Sequence, residues 1–326
     1  MSQDSAAPRR KVALIAFGGN ALLRPQDHGT QEEQFTLAWK ATRWLVEIIH
    51  RGFELVIVHG NGPQVGNIMI QVEEAITKIP PQTLDVCVAQ TMGSMGFMLQ
   101  NQLRNRLNEE QMSKPVVTVL SEVEVARDDP AFENPSKPVG PYFTAYRANA
   151  LMQEQGWQMV EDAGRGWRKV VPSPPPRRVL DAWVVRRLVE EGAVVIAAGG
   201  GGIPVYQDVG GYFRGVEAVI DKDYTAALLA KELDADLFII LTQVPQVAEN
   251  FGRPNQRWLS QLTVSRAKEM LEQHQFPPGS MGPKIRAAIQ FVEETGKEVL
   301  ITDAEHLKEA LARAGGTYIV ADGKEA

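Results

Sequence analysis

Short, wholly apolar runs that end in glycine clusters constrain this chain more than any other feature. Val12-Ala-Leu-Ile-Ala-Phe17 leads into Gly18-Gly19-Asn20, Leu55-Val-Ile-Val58 into His59-Gly60-Asn61-Gly62-Pro63, and Val194-Val-Ile-Ala-Ala198 into Gly199-Gly200-Gly201-Gly202. A strand with one face in water alternates apolar and polar residues. An uninterrupted run instead suits a strand buried on both faces, as in a parallel sheet. Further runs of this kind are Val116-Val-Thr-Val-Leu120, Leu237-Phe-Ile-Ile-Leu241 and Val299-Leu-Ile-Thr302. Helical patterns separate most of them: Thr30 to Arg51, with Gly52 as its stop, and Val65 to Thr77. The alternation predicts a three-layer α/β fold with a mainly parallel sheet.

The rhythm breaks from about 127 to 178. That stretch carries Pro135-Ser136-Lys137-Pro138-Val139-Gly140-Pro141 and Pro172-Ser-Pro-Pro-Pro176. Prolines at such density argue against regular helix or central strand. A structureless loop of this length is nevertheless unusual inside a compact domain, and Tyr142, Phe143, Trp157 and Trp167 need something to pack on. The segment is therefore read as a small inserted subdomain, a lid. With 326 residues the chain is long enough for two lobes, taken as 11–190 and 191–320.

Composition removes several classes of function. The net charge of −6 argues against a nucleic-acid binder, which needs a net basic stripe. No stretch approaches the roughly 20 apolar residues that a membrane helix requires. The polar stretch Met1 to Arg10 lacks the apolar centre of a secretory signal, and the single Cys87 fits a reducing compartment. A cytoplasmic protein is the expectation. Cys87 lies in Asp85-Val-Cys-Val-Ala89 and reads as a small buried hydrophobe. The five histidines share no metal-ligand spacing, and His59 reads as a structural residue orienting its turn.

In open α/β sheets ligands bind beyond the C-terminal strand ends, where glycines let backbone N–H groups approach an anion. Three glycine clusters of this kind point to an oxyanion or phosphate site. The P-loop pattern is absent and the dinucleotide spacing fails after Gly62. Two lysine motifs supply local cations. In Val219-Ile-Asp221-Lys222-Asp223-Tyr-Thr-Ala-Ala227 an acid–base–acid triplet precedes a helix, which also suits capping by Asp221 or Asp223. In Pro278-Gly279-Ser-Met-Gly282-Pro283-Lys284, Pro283 suits the first helical position, and Gly296 the stop. Lys284 then stands in a first turn, where the dipole disfavours a cation unless an anion neutralises it.

Taken together these motifs resemble the carbamate kinases of the amino-acid kinase superfamily. The likeness rests on Ala16-Phe-Gly-Gly-Asn-Ala21, His59-Gly-Asn-Gly-Pro-Gln-Val-Gly-Asn67 and Asn134-Pro-Ser-Lys-Pro-Val-Gly-Pro141. It continues through Glu161-Asp-Ala-Gly-Arg-Gly-Trp-Arg-Lys-Val-Val-Pro-Ser-Pro174, Gly199 to Pro204, Gly215 to Asp223 and Pro278 to Lys284. These segments run in order across about residues 11 to 320. The resemblance implies an αβα sandwich (the amino-acid kinase fold) with a protruding lid, and a homodimer. It also implies phosphoryl transfer between carbamoyl phosphate and ADP, giving ATP and carbamate, with Mg²⁺ bound to the nucleotide. By the same likeness Gly18, Gly19, Asn20, Gly60, Asn61 and Gly62 hold the carbamoyl phosphate in the first lobe. Lys137 reaches in from the lid, Lys222 and Lys284 sit on the nucleotide side, and Asp223 with Asp221 orients the lysines. Gly200 and Gly201 belong to the central cleft, while Thr242, Val244, Ser280 and Met281 border the nucleotide in the second lobe. One departure stands out: Val244-Pro245 replaces the family's Val-Asp, and proline brings neither a side-chain acceptor nor an N–H. Two alternatives compete with this reading. A kinase for another small acid would lack the Pro-Ser-Lys-Pro motif, and a non-catalytic sensor would not need Lys137, Lys222, Asp223 and Lys284 together.

Overall fold

A computed structural model describes residues 10–23, 27–162, 164, 166–277 and 279–324. Arg9, Ala163, Arg165 and Pro278, which fall in segments discussed above, lie outside the described residues.

The apolar runs assemble into one eight-stranded sheet. Its order is Gln261–Thr263, Thr317–Val320, Val299–Thr302, Leu237–Leu241, Lys11–Phe17, Phe53–His59, Val194–Ile196 and Val116–Thr118. Every pairing is parallel except that between Val299–Thr302 and Thr317–Val320. The first strand shows why its run is unbroken. Val12, Leu14 and Ala16 face one core, and Ala13, Ile15 and Phe17 face the other. The helices Gln31–His50 and Leu84–Glu109 contribute to the second core, and Lys222–Glu232, Val264–Glu272 and Met281–Thr295 to the first. The result is a helix–sheet–helix sandwich.

Helix boundaries follow local chemistry. Thr30 caps the Gln31–His50 helix through a capping box with Glu33, and Gly52 leaves it at φ 82°. The second helix begins at Gly62, three residues ahead of the Val65 expected, with Pro63 in its first turn. The Met281–Thr295 helix starts two residues before Pro283, which therefore occupies the third helical position rather than the first. Val219 and Ile220 are buried but belong to no strand.

The Pro-rich segment corrects the expectation more sharply, because it is built of regular structure. The strands Lys137–Phe143, Met159–Glu161 and Trp167–Val171 form a small antiparallel sheet, with a helix at Ala145–Gln155. Pro138 and Pro141 are tolerated because Lys137–Phe143 is an edge strand of that sheet. Pro176 likewise opens the edge strand Pro176–Val179 of a four-stranded sheet. Phe143, Trp157 and Trp167 pack with Ala148 and Leu151 in a small core of their own. Val139 and Val171 join a further cluster with Val65, Leu84, Cys87, Val88 and Val219 of the main body. Among the described residues no helix is long and apolar enough to cross a membrane.

Candidate active site

Sheet order brings the three glycine clusters to one edge. Lys11–Phe17, Phe53–His59 and Val194–Ile196 are consecutive parallel strands, so Gly18, Gly60 and Gly199 leave the sheet side by side. Gly18, Gly19 and the Asn20 backbone form a tight turn closed by Ala21 N–H donating to Gly18 O at 3.0 Å. Gly60 N–H donates to Phe17 O at 2.7 Å, locking the second turn onto the first. A Cβ on Gly60 would lie 2.8 Å from Gly19 N and 3.0 Å from Lys222 Cδ, so only glycine allows this approach. The Asn61 amide, only 4% exposed, donates to Thr91 Oγ1 at 2.8 Å. Gly200, at φ 70°, lies against that amide, and Gly201 O accepts from Thr225 Oγ1 at 2.8 Å.

The two lysine motifs converge on Asp223, which is 3% exposed. Lys222 Nζ donates to one carboxylate oxygen at 2.5 Å and Lys284 Nζ to the other at 2.9 Å. Their helices, Lys222–Glu232 and Met281–Thr295, pack against each other with Lys222 and Lys284 both near the N-terminal ends. Burial alone would push the Asp223 carboxyl upward, but the two ammoniums outweigh it and hold the group well below the usual carboxylate range. Burial pushes the Lys222 ammonium down, with Lys284 adding to the effect and Asp223 opposing it. Asp221 serves twice. One carboxylate oxygen caps the helix by accepting from Asp223 N–H at 3.0 Å, and the other accepts from Lys137 Nζ at 2.6 Å. The capping role and the lysine-orienting role therefore coexist in one side chain. Lys137 arrives on the inserted sheet, and Pro172 O at the end of that sheet accepts from Val219 N–H at 3.0 Å.

At the same sheet edge Leu237–Leu241 runs out into Thr242, whose N–H donates to Thr302 O at 2.8 Å. Val244 is half-buried, and Pro245 supplies a carbonyl that accepts from Thr302 Oγ1 at 3.2 Å. Ser280 is exposed and Met281 half-buried at the head of the helix that carries Lys284. Among the described residues no group of three or more His, Cys, Asp or Glu side chains is placed to hold a metal ion.

Two site residues, Thr91 and Thr225, lacked a role in the sequence reading. Thr91 anchors Asn61 from the middle of the Leu84–Glu109 helix, with no local pattern to mark it. Thr225 had a usable signal, because it falls four residues after the Asp221 cap and so on the helix face that meets Gly201. His59 is fully buried, with Nδ1 3.2 Å from Gly60 O and Nε2 unpartnered against Gly199. Burial pulls its pKa down to about 4, so the ring is neutral near pH 7.

Comparison with known proteins places this geometry. The profile of the amino acid kinase family matches residues 11–303. The carbamate kinase of Thermococcus kodakarensis is 45% identical over 313 residues, covering 95% of this chain and 99% of that one. The chain belongs to the amino acid kinase family. Carbamate kinase 2 of Enterococcus faecalis is 44% identical over 312 residues, again across 95% and 99% of the two chains. Among solved structures, carbamate kinase from Giardia lamblia bound to AMP-PNP superposes with a TM-score of 0.90 at 38% identity, covering 96% of this chain and 99% of that one. The chain is therefore a kinase of the carbamate kinase branch.

Proposed function

We propose that the protein transfers a phosphoryl group between carbamoyl phosphate and ADP, giving ATP and carbamate. One observation carries the reading: a single buried carboxylate, Asp223, holds both Lys222 and Lys284 beside three glycine turns. Phosphoryl transfer asks a protein mainly for alignment and for charge on the equatorial oxygens. A β-phosphate oxygen of ADP attacks phosphorus as the bond to the carbamoyl oxygen breaks, and carbamate departs with that electron pair. No group on the protein is phosphorylated.

The backbone at Gly18, Gly19, Asn20, Gly60, Asn61 and Gly62 would hold carbamoyl phosphate in the lobe 11–190. Gly200, which lies against the Asn61 amide, and Gly201, which accepts from Thr225, would shape the cleft floor. Lys222 and Lys284 would neutralise the transferred group on the nucleotide side, and Lys137 would do so from the lid, about residues 127–178. Thr242, Val244, Ser280 and Met281 would border ADP or ATP in the lobe 191–320. Asp221 and Asp223 are both engaged with lysines, so the magnesium ion fits best as part of the nucleotide substrate, held chiefly by its phosphates. When bound there it spreads charge over the phosphate oxygens.

We also take the enzyme to be a cytoplasmic homodimer. The Leu84–Glu109 helix exposes Val86, Gly93 and Phe97 along one stripe, apolar surface that a second copy would cover. Light scattering on the purified protein should give twice the 36.0 kDa chain mass.

The deciding assay mixes protein, carbamoyl phosphate, ADP and Mg²⁺, and follows ATP by a coupled reaction after subtracting spontaneous breakdown. Rapid ATP formation is expected, with kcat reduced at least roughly a hundredfold in Lys137→Ala and Lys284→Ala while stability changes little. Absence of ATP from folded protein that still binds nucleotide would overturn the substrate assignment. Unchanged rates in both variants would overturn the site.

A further inference from the structure

A second cavity, separate from the phosphoryl site, lies where the inserted unit meets the body. Its volume is about 500 Å³. Met69, Val72, Leu84 and Cys87 of the body form much of one wall, and Trp157 and Lys169 of the inserted unit stand on the other. Glu73, Gln82, Gln155, Gln158 and Glu217 also line it, and a concave apolar wall with polar groups beside it is the usual form of a small-molecule site.

Lys169 is the informative member. Its ammonium stacks on the Trp157 ring at 4.6 Å from the centroid and makes no hydrogen bond or ion pair with any described residue. Other half-buried lysines behave differently: Lys137, Lys222 and Lys284 all sit on carboxylates. Glu217 also lines the cavity, but its carboxylate accepts from Leu84 N–H at 3.4 Å at the head of a helix. Glu217 acts on this ammonium through its charge but makes no ion pair with it, so a half-buried cation whose one direct partner is a ring face is incompletely compensated. Burial pulls the Lys169 pKa downward and outweighs the opposing charge of Glu217. A ligand carboxylate would supply the direct ionic contact that Glu217 does not make, and its apolar body would cover Met69, Val72 and Leu84.

We propose that this cavity binds a small carboxylate with an apolar body, its carboxylate on Lys169 and its hydrocarbon against the body helices. Register adds a structural consequence. Lys137 pairs with Val171 and Val139 with Lys169, so Lys137 and Lys169 share one face of the inserted sheet. A ligand held between the two walls therefore ties the sheet that carries Lys137 to the main body. Binding itself stands apart from the proposed reaction and is measured without turnover.

The test is isothermal titration calorimetry of the full chain with hexanoate and with the neutral hexanamide. Hexanoate should bind saturably and hexanamide roughly tenfold or more weakly, the worth of a hydrogen bond to a charged group. Lys169→Met should remove that preference. Val72→Phe, which fills the cavity without touching the cation, should abolish binding of both. Lys222→Met should leave hexanoate affinity unchanged. No saturable binding, equal affinities for the two ligands, or loss in Lys222→Met but not in Lys169→Met would overturn the proposal, the last by placing the carboxylate in the phosphate site.

Discussion

Asp223 accepts from two ammoniums at once, which fixes how far apart Lys222 and Lys284 stand and what they can offer a phosphate. Lys222 has the more telling electrostatics, because burial and Lys284 together depress it despite Asp223. In the proposed reaction the ammonium is the working form, so a depressed pKa brings deprotonation at lower pH than for an ordinary lysine. The alkaline limb of kcat should therefore fall below the usual lysine range. Lys222→Arg, which stays charged, should lower kcat roughly tenfold or more by misfitting a point-charge site, yet move that limb upward. A limb that stays in place would assign the titration elsewhere. His59 gives a stability prediction of opposite use. Its folded pKa of about 4 lies below the ordinary 6.5, so between these values the unfolded chain binds a proton that the native chain refuses. The contribution is intact above pH 6.5 and is lost as pH falls toward 4, about 3 kcal/mol in all. Urea unfolding at pH 7 and pH 4.5 checks it: His59→Gln should lose less stability across that step than the parent does. Equal losses would show that other groups dominate.

At the scale of elements, the strand-to-glycine transitions were the legible part. Their apolar runs have no polar alternation because residues of odd and even number both meet a helix layer, as Ala13 and Leu14 do. Partnership between turns was not legible. Nothing near Asn61 in sequence announces Thr91 or Gly200, since the first contact needs the Leu84–Glu109 helix to pack beside the turn and the second needs the strands Phe53–His59 and Val194–Ile196 to become neighbours. Gly200→Ala tests this junction. Its φ of 70° disfavours an L side chain, and the added Cβ would come 2.3 Å from Asn61 Nδ2. The variant should be destabilised by about 1–3 kcal/mol. Its KM for carbamoyl phosphate should also rise as the Asn61 turn moves. A thermal melt combined with steady-state kinetics measures both. Normal kinetics in a destabilised variant would confine Gly200 to folding.

Over the whole molecule, the inserted unit is where reading from sequence was least complete. Prolines signalled a break, yet Pro138 and Pro176 sit on edge strands, where a missing N–H costs no ladder bond. Local signals for the Ala145–Gln155 helix, the Thr144 cap and left-handed Gly156, were present but outweighed by proline density. The unit keeps its own core around Ala148 and Leu151, and reaches the body through Val139 and Val171. Lys137 stands on the same strand as Val139, so the packing of that valine sets how firmly the ammonium is delivered to Asp221. Val139→Ala removes buried methyl groups from this junction at a cost of about 1–2 kcal/mol, small beside the stability of the main sheet. If delivery of Lys137 is what the junction does, kcat should fall toward that of Lys137→Ala while the affinity for ADP, which we propose binds in the other lobe, stays constant. Hydrogen exchange should at the same time quicken in residues 137–171 and not in the central strands. Quickening without loss of kcat would mean that Lys137 finds its place by other contacts, and that the unit encloses the site without positioning its lysine.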